Sequence, residues 1–227
     1  IYIIHIPGNR ESLLHKSAHA VCEDAYGKIW IGNADKITCF DPLNNTYRHH
    51  LHNPDDSASI GAGTYILKII RDPMNTDYLW VSLLSGDLQK VNVRTGQVTR
   101  CIRGSIYDIF PSRSDYYWLA SLSGVWKFFP ESGNVEPAVA RESTTHCVYD
   151  DMRGTLWVGT FSDGLLEYDY INDLQKWYKH DPADTMSLSH NKIEFIHEDR
   201  QGNIWIGTAG GGLNKLDTMK GSMTRYD

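Results

Sequence analysis

The feature that most constrains the fold is a nine-residue motif that recurs along the chain. Its clearest copies place a Gly three residues, a Trp six residues and a Gly eight residues after an Asp, and they occupy Asp24–Gly32, Asp151–Gly159 and Asp199–Gly207. Two weaker copies surround Trp80 and Trp118. The repeat tryptophans, which are Trp30, Trp80, Trp118, Trp157 and Trp205, are 50, 38, 39 and 48 residues apart. This spacing is typical of the blades of a β-propeller, which repeat every ~40–50 residues.

Each repeat reads as four short strands. An alternating first strand ends in acidic residues, a turn follows, the second strand holds the Trp, a small-residue loop leads to the third strand, and a more polar fourth strand closes the unit, as at 174–178. The turn glycines, Gly27, Gly154 and Gly202, suit backbone with positive φ. An apolar period of two excludes helical repeats. The pattern predicts an all-β chain, a β-propeller of four-stranded antiparallel blades.

The repeat count gives about five blades in a single propeller region, residues 1–227. Residues 1–6 align with a fourth strand, so we interpret them as an orphan outer strand of a preceding blade and the chain as a fragment of a larger propeller. The predicted blades are 19–50, 64–103, 105–139, 144–179 and 193–227.

A second repeat, of the form His-x-Pro-x4-Ser-[Leu/Ile], lies in the connections between blades. It occurs at His5–Leu13, His52–Ile60 and His180–Leu188. A residue that recurs in every copy of a loop usually supports that loop. We therefore expect the histidine side chains to hydrogen-bond to the backbone rather than to a ligand.

Charge and composition exclude several classes of function. The chain has 227 residues and a net charge of −6, with no basic block, which argues against binding nucleic acid or an anionic membrane surface. No apolar run approaches the ~18 residues of a membrane span, so no direct membrane contact is expected. The four cysteines lack metal-ligand spacing and are predicted to be free and packed as small hydrophobes, although a bridge stays open; they are Cys22, Cys39, Cys101 and Cys147.

No catalytic motif is present in the sequence. The acidic pairs, such as Asp150-Asp151, recur in blade after blade, which indicates turn capping rather than the single carboxylate pair of a glycosidase. The repeat tryptophans are predicted to fill the space between blades. Adjacent strand residues point to opposite faces, so the histidines at 49–52 do not suggest a metal site. We predict no catalytic residue, no metal and no cofactor.

Binding residues in repeat folds tend to lie on loops held by a rigid scaffold. The loops between second and third strands and those after fourth strands are therefore the candidate site. An off-register tryptophan could stack on a sugar, and a loop phenylalanine among polar side chains suits the same ligand. The predicted ligand-binding residues are Asn33, Trp126, Phe161, Asp163 and His190.

Residues 150–169 and 198–217 resemble the two-component regulator propeller repeat. They share with it an acidic pair, a Gly, a [Leu/Ile]-Trp-[Val/Ile]-Gly-Thr strand and a Gly-Leu strand, and His-x-Pro-x4-Ser-Leu is also typical of this family. The resemblance implies the periplasmic sensor region of a hybrid two-component receptor of the Bacteroidetes type, with a seven-bladed propeller. A full-length parent would be a histidine kinase, whereas the chain itself has no such activity.

The resemblance also implies partners. An oligosaccharide derived from a glycan is the expected ligand, and neighbouring propeller or sensor domains of the parent, or a second copy in a homodimer, are the expected protein partners. Two alternatives stay open. One is a structural or dimerisation propeller without a small ligand. The other, less favoured, is a propeller lyase similar to the streptogramin-inactivating type.

Overall fold

The computed structural model describes residues 6, 8–9, 12–13, 15–34, 36–61 and 65–226. These residues form β-strands and turns, with no helix among them. The first two sheets comprise β1 (Ala20–Glu23), β2 (Ile29–Gly32), β3 (Lys36–Asp41), β4 (Thr46–Leu51), β5 (Ile66–Arg71), β6 (Tyr78–Leu83), β7 (Leu88–Asn92) and β8 (Val98–Ile102). The other three comprise β9 (Ile106–Pro111), β10 (Tyr117–Ser121), β11 (Gly124–Phe129), β12 (Asn134–Val139), β13 (Thr145–Asp150), β14 (Thr155–Thr160), β15 (Leu165–Asp169), β16 (Leu174–Tyr178), β17 (Ile193–Glu198), β18 (Ile204–Thr208), β19 (Leu213–Asp217) and β20 (Ser222–Tyr226).

The strands form five four-stranded sheets, each of which pairs its strands in chain order. The strand pairs are antiparallel. This confirms the predicted all-β fold of four-stranded antiparallel blades, including the fourth strand at 174–178. The weaker motif copies around Trp80 and Trp118 form β6 and β10. The orphan strand predicted at 1–6 falls almost entirely outside the described residues.

The turn between first and second strands is built by an aspartate. Asp24 Oδ1 accepts the backbone N–H of Tyr26 at 2.8 Å and of Lys28 at 3.0 Å. Asp199 repeats this arrangement with Gln201 and Asn203, both at 2.9 Å. Such side-chain acceptors replace the ladder hydrogen bonds that a tight turn loses. The turn glycines have positive φ, which is 77° at Gly27, 120° at Gly154 and 81° at Gly202.

The chain divides into two compact units, residues 1–107 and 108–227. In each unit neighbouring sheets pack face to face with an apolar core between them, as propeller blades do. The core of the first unit includes Trp30, Ile37, Ile66, Leu79, Val81 and Leu83. The second unit has two such layers, one around Trp118, Val125 and Val158 and one around Trp157, Ile193 and Ile206.

Close approach between sheets depends on the glycine that ends the repeat motif. A Cβ at Gly32 would lie 2.5 Å from Cγ2 of Ile66, which belongs to the next sheet. A Cβ at Gly159 would lie 2.6 Å from Cγ2 of Ile193, again in the next sheet. Real Cβ contacts are not this short, so the motif needs Gly here for packing.

The acidic pairs do more than cap turns, which extends the sequence interpretation. Asp150 accepts the N–H of Met152 at 2.7 Å in its turn, but its Oδ2 also accepts Trp118 Nε1 of the preceding sheet at 2.8 Å. Glu198 forms an ion pair with Arg153 of the preceding sheet at 2.8 Å and accepts the hydroxyl of Tyr149 at 3.2 Å. The first acid of the pair therefore connects sheets, and the second shapes the turn.

The repeat tryptophans of the first four sheets, Trp30, Trp80, Trp118 and Trp157, are 2% exposed or less, whereas Trp205 in the fifth sheet is only half-buried. The same face of the fifth sheet carries Phe195, which is 49% exposed, and an apolar cavity of about 670 Å³ lined by Phe195, Trp205 and Leu213. In the fourth sheet the equivalent face is covered by β17. The fifth sheet thus presents an uncovered apolar face.

The remaining sequence predictions concern cysteines and histidines. All four cysteines are free, Cys39 and Cys147 being buried. His52 Nδ1 contacts the Ile60 carbonyl at 2.8 Å and His180 Nδ1 contacts the Leu188 carbonyl at 2.7 Å, which confirms the loop-supporting role. His5 lies outside the described residues. Within the described part of the chain, no helix has the length and apolarity to cross a membrane.

Candidate ligand-binding site

A cluster of four side chains in the second unit forms where β13, β14 and β17 begin or end. Two of its members sit on β-bulges. The pairing of β13 with β14 shifts between Thr145 and Cys147, so that His146 is the extra residue. The pairing of β17 with β18 shifts in the same way around Glu194. Because a bulge re-aims the side chain of the extra residue, it is a common device next to binding sites.

The two bulge residues face each other. Nδ1 of His146 lies 2.8 Å from the carbonyl oxygen of Ile193 and 3.8 Å from Oε2 of Glu194. A carbonyl only accepts, so Nδ1 carries the proton and, in the neutral ring, Nε2 is an acceptor. This contact also joins the first strands of two neighbouring sheets, and it fixes the orientation of the imidazole.

Phe161 and Lys192 complete the cluster. The rings of Phe161 and His146 have centroids 4.6 Å apart, and Lys192 Nζ lies 5.8 Å from the Phe161 centroid. Lys192 Nζ also forms an ion pair with Glu194 Oε1 at 2.7 Å. The loop that carries Phe161 is held at both ends, because Phe161 N donates to Thr144 O at 3.0 Å and Gly164 N donates to Asn191 O at 3.1 Å.

The electrostatics of the cluster are balanced and stable near neutral pH. The hydrogen bond from Lys192, assisted by the nearby His146, lowers the pKa of Glu194 below its usual value. Glu194 therefore remains an acceptor across the physiological range. An aromatic face, an ammonium donor, a carboxylate acceptor and an imidazole converge on one place, and such a combination suits a neutral ligand with several hydroxyl groups.

The predicted site residues fall at different distances from this cluster. Phe161 is a member of it. Two residues on, Asp163 is half-buried, and its backbone N–H donates to Thr160 Oγ1 at 2.8 Å, which tightens the loop. His190 is exposed, and its Nδ1 accepts the backbone N–H of Lys192 at 3.0 Å, so it shapes the segment that presents the lysine.

The structure does not bring the other two predicted residues to the cluster. Trp126 is half-buried on β11, with its Nε1 3.3 Å from Ser123 Oγ. Asn33 belongs to the other compact unit and is fully buried, with its Nδ2 donating to the Ser17 carbonyl. Its contacts support a loop-holding role. Ligand binding by these two residues stays a prediction.

His146, Lys192 and Glu194 are not among the ligand-binding residues predicted from the sequence. Each follows or precedes the residue that opens a first strand, as in Thr145-His146-Cys147 and Ile193-Glu194-Phe195. Among the described residues no three or more His, Cys, Asp or Glu side chains are grouped so as to hold a metal ion.

Residues 12–35 and 187–210 match the family model described as two component regulator propeller. A search of curated proteins finds no significant match. Both matched segments span the end of a His-x-Pro-x4-Ser loop and the first two strands of the following sheet. The family match and the repeat motif therefore fall on the same parts of the chain.

Solved structures with the same fold include two extracellular domains of hybrid two-component systems from B. thetaiotaomicron. BT3049 is 18% identical with a TM-score of 0.80, over 99% of this chain and 32% of that one. BT4673 is 18% identical with a TM-score of 0.75, over 98% of this chain and 28% of that one. The WD40 β-propeller domain of Doa1 is 10% identical with a TM-score of 0.68, over 93% of this chain and 68% of that one. The chain thus spans about a third of the two extracellular domains.

Proposed function

We propose that this chain, which carries two component regulator propeller repeats, is a ligand-binding part of the extracytoplasmic sensor region of a two-component receptor. It acts by binding a signal and not by catalysis. In this proposal any kinase activity belongs to other parts of a parent receptor, and the location is periplasmic. The family match supports the sensing role, and the two bacterial extracellular domains support the fold.

The observation that carries the proposal is the convergence of two bulge residues on one loop aromatic. The first strands of the second, fourth and fifth sheets each have a bulge at their second position, and in the fourth and fifth sheets the extra residue is polar. The side chains that the bulges re-aim, His146 and Glu194, meet Phe161 and Lys192. A site built from two sheets in this way can report a ligand to the scaffold.

The ligand class that fits best is an oligosaccharide. The apolar face of a sugar ring can lie on Phe161, while its hydroxyls can donate to Glu194 and accept from Lys192. No strong net charge at the cluster selects for an ionic ligand, because the ammonium of Lys192 is matched by the carboxylate of Glu194 at 2.7 Å.

The test is a thermal-shift and calorimetric screen of the purified chain against a panel of oligosaccharides. A ligand that binds only the folded state adds about 2.7 kcal/mol of stability at about a hundred times its Kd. We expect one glycan class to raise Tm in the wild-type chain. F161A and E194Q should bind that glycan at least about tenfold more weakly, since each removes a direct contact.

The matched control is Y168A, which removes another half-buried aromatic ring of the same unit. Tyr168 lies near the end of β15, where its hydroxyl donates to Asp173 Oδ1 at 3.0 Å in the turn that follows the strand. Its loss should leave glycan affinity unchanged. No Tm shift with any sugar in a folded sample, or equal losses in Y168A and F161A, would contradict the proposal.

A second candidate function is a structural propeller that associates with another copy of itself. The uncovered face of the fifth sheet favours it, because Phe195, the half-buried Trp205 and an apolar cavity of about 670 Å³ lie together there. Sedimentation of wild type and F195E distinguishes the candidates: a concentration-dependent dimer that F195E abolishes supports this second function.

A further inference from the structure

The His-x-Pro-x4-Ser loops of the second and fifth sheets have the same internal structure. We call the segments 52–60 and 180–188 the His-Pro loops. In each, the Ser hydroxyl contacts the backbone of the residue after the His, at 2.9 Å for Ser59 with Asn53 N and at 2.9 Å for Ser187 with Asp181 N. Each loop also receives a ladder-like hydrogen bond from the fourth strand, from Val98 N to Ala58 O and from Met223 N to Met186 O.

The 180–188 loop holds a guanidinium group. Arg225 on β20 points into this loop, where its Nε donates to Ser187 O at 3.0 Å and its Nη2 donates to Asp184 O at 2.9 Å, to Ser187 Oγ at 2.8 Å and to Leu188 O at 3.2 Å. Three carbonyl oxygens and one hydroxyl oxygen thus accept hydrogen bonds from the guanidinium group of Arg225. This is the arrangement that a guanidinium recognises and an ammonium matches poorly.

The register of the fourth strands makes Arg100 the counterpart of Arg225. Arg225 pairs across the sheet with Asn214, and Arg100 pairs with Gln89; these two amides accept the N–H of the residue that follows each loop, Ser189 or Gly61. Arg100 Nη2 lies close to Gly61, where a Cβ would be 3.4 Å from it, but among the described residues no hydrogen bond joins Arg100 to a carbonyl of the 52–60 loop.

Arg100 is instead held by an aspartate. Its Nε lies 2.9 Å from Asp87 Oδ2. The counterpart of Asp87 in the fifth sheet is Gly212, since Leu83 N donates to Asp87 O as Thr208 N donates to Gly212 O. The carboxylate therefore accounts for the different position of the two arginines.

A cavity of about 570 Å³ lies beside the 52–60 loop, and Arg100 forms part of its wall. Its lining includes His52, Asp56, Ser59, Arg100 and Arg103. Asp56 O accepts Ser59 N at 3.0 Å, the same contact that Asp184 O makes with Ser187 N at 3.2 Å in the occupied loop. The 52–60 loop therefore presents the same set of backbone oxygens as the 180–188 loop, which we call the oxygen cradle, although no arginine is bound to it. The wall of the cavity carries two arginines: Asp87 matches the charge of Arg100, and the carboxylate of Asp56 is opposite in sign to Arg103, so the wall has no net positive charge that would exclude a cation.

We propose that the 52–60 His-Pro loop is a binding site for the guanidinium group of a ligand, such as the arginine side chain of a peptide segment. The incoming group occupies the place that Arg225 takes in the fifth sheet. The site is separate from the His146, Phe161, Lys192 and Glu194 cluster, and it stands or falls independently of the sensing proposal.

The test uses N-acetyl-L-arginine amide and methylguanidinium as probes, with N-acetyl-L-lysine amide as the control compound, followed by NMR of the backbone amides of the full chain. We expect saturable shifts confined to residues 52–60 and 98–103 with the guanidinium compounds and none with the lysine compound. If both guanidinium compounds bind, the site recognises the guanidinium group alone. If only N-acetyl-L-arginine amide binds, the site recognises an arginine within a peptide. Either result supports the proposal.

Two variants sharpen the test. D87G, or D87N if the glycine variant is unstable, frees Arg100 to enter its own loop and should weaken probe binding at least about tenfold. R225A removes the arginine from the 180–188 loop, so the probe should then cause a second set of amide shifts at 180–188. The probe concentration that produces these shifts shows how much is needed to occupy an oxygen cradle of this kind. Absence of shifts at 52–60 at that concentration, or unchanged binding in the Asp87 variants, would overturn the proposal.

Discussion

Individual tryptophans at the same repeat position satisfy their indole N–H in different ways. Trp30 and Trp205 donate to the aspartate of their own turn, at 2.7 Å to Asp24 and 2.8 Å to Asp199. Trp118 donates to Asp150 of the next sheet instead. The Nε1 of Trp157 is buried and has no hydrogen-bond partner among the described residues. The copies of the repeat therefore share the indole ring and its packing, but not the hydrogen bond of the indole N–H.

This difference predicts unequal costs for the same substitution. W118F leaves the Asp150 carboxylate without one of its donors, whereas W157F removes an N–H that has no acceptor. Both lose similar packing, so we expect W118F to be less stable than W157F by about 1–2 kcal/mol. Urea unfolding of the two variants measures this difference. Equal unfolding free energies would show that the Trp118 hydrogen bond makes no net contribution.

His50 should make stability depend on pH. Its ring stacks on Trp30 with centroids 5.3 Å apart, and burial, followed by the charges of Arg48 and His49, lowers its pKa from 6.5 to about 4. The unfolded chain therefore binds more protons between these values. The folded state pays no penalty above pH 6.5 and is progressively destabilised as the pH falls towards 4.

H50F tests this residue directly, because it keeps an aromatic ring and removes a buried Nε2 that has no partner among the described residues. Wild type should lose more stability than H50F between pH 7 and pH 5, by roughly 1–2 kcal/mol. Urea titrations at the two pH values give the comparison. Parallel losses in both proteins would place the dependence on other groups.

At the level of strands and sheets, the approach of neighbouring sheets rests on one glycine. In G159A the new Cβ would meet Cys147 Sγ at 2.5 Å and Ile193 Cγ2 at 2.6 Å, both in a packed core. We expect a destabilisation of about 1–3 kcal/mol. Gly207 is the matched control, because the three atoms nearest to its Cβ would all belong to the ring of Phe195, which is half exposed and can move. Differential scanning of the two variants should give the lower Tm for G159A, and the reverse order would contradict this account.

Element by element, the sequence predicted the strands well and their irregularities poorly. The Trp-centred second strands were recognisable even where the glycines of the motif are replaced, as in β6 and β10, because apolar alternation and the Trp spacing persist there. The bulges at His146 and Glu194 were not predicted. A bulge changes which face a side chain takes through pairing with a partner strand, and a single-strand pattern does not record that pairing.

For the molecule as a whole, we expect protection of the backbone amides from hydrogen exchange to be lower in the fifth sheet than in the fourth. The sheet β13–β16 has both neighbours in this unit, whereas the fifth sheet has one apolar face uncovered. Opening a sheet with fewer buried contacts requires less free energy. Hydrogen exchange should therefore be slower at Val148 and Val158 than at Ile196 and Ile206. Equal amide protection in the two sheets, measured over a series of protein concentrations, would indicate that another molecule covers the exposed apolar face of the fifth sheet in solution.

The candidate site was only partly accessible to sequence reasoning at this scale. Phe161 was predicted because it is an aromatic in a loop of otherwise small and polar residues, and the structure places it in the cluster. Asn33 occupies the same kind of loop in the first sheet but is fully buried. The difference arises from what packs over each loop, which depends on contacts between segments that are distant in sequence. His146 and Glu194 are likewise 48 residues apart and meet only after two sheets have packed.

The four free thiols have a practical consequence for studying this protein by fluorescence. Burial raises the pKa of Cys39 to about 11 and also raises the pKa values of Cys22 and Cys101. Since the thiolate is the species that reacts with maleimide dyes, these three thiols react slowly at neutral pH, and the fourth, Cys147, is buried. A cysteine introduced at the exposed Ser162, beside Phe161, would be labelled first. The native cysteines therefore need not be replaced before an environment-sensitive dye is attached at position 162 to detect ligand binding.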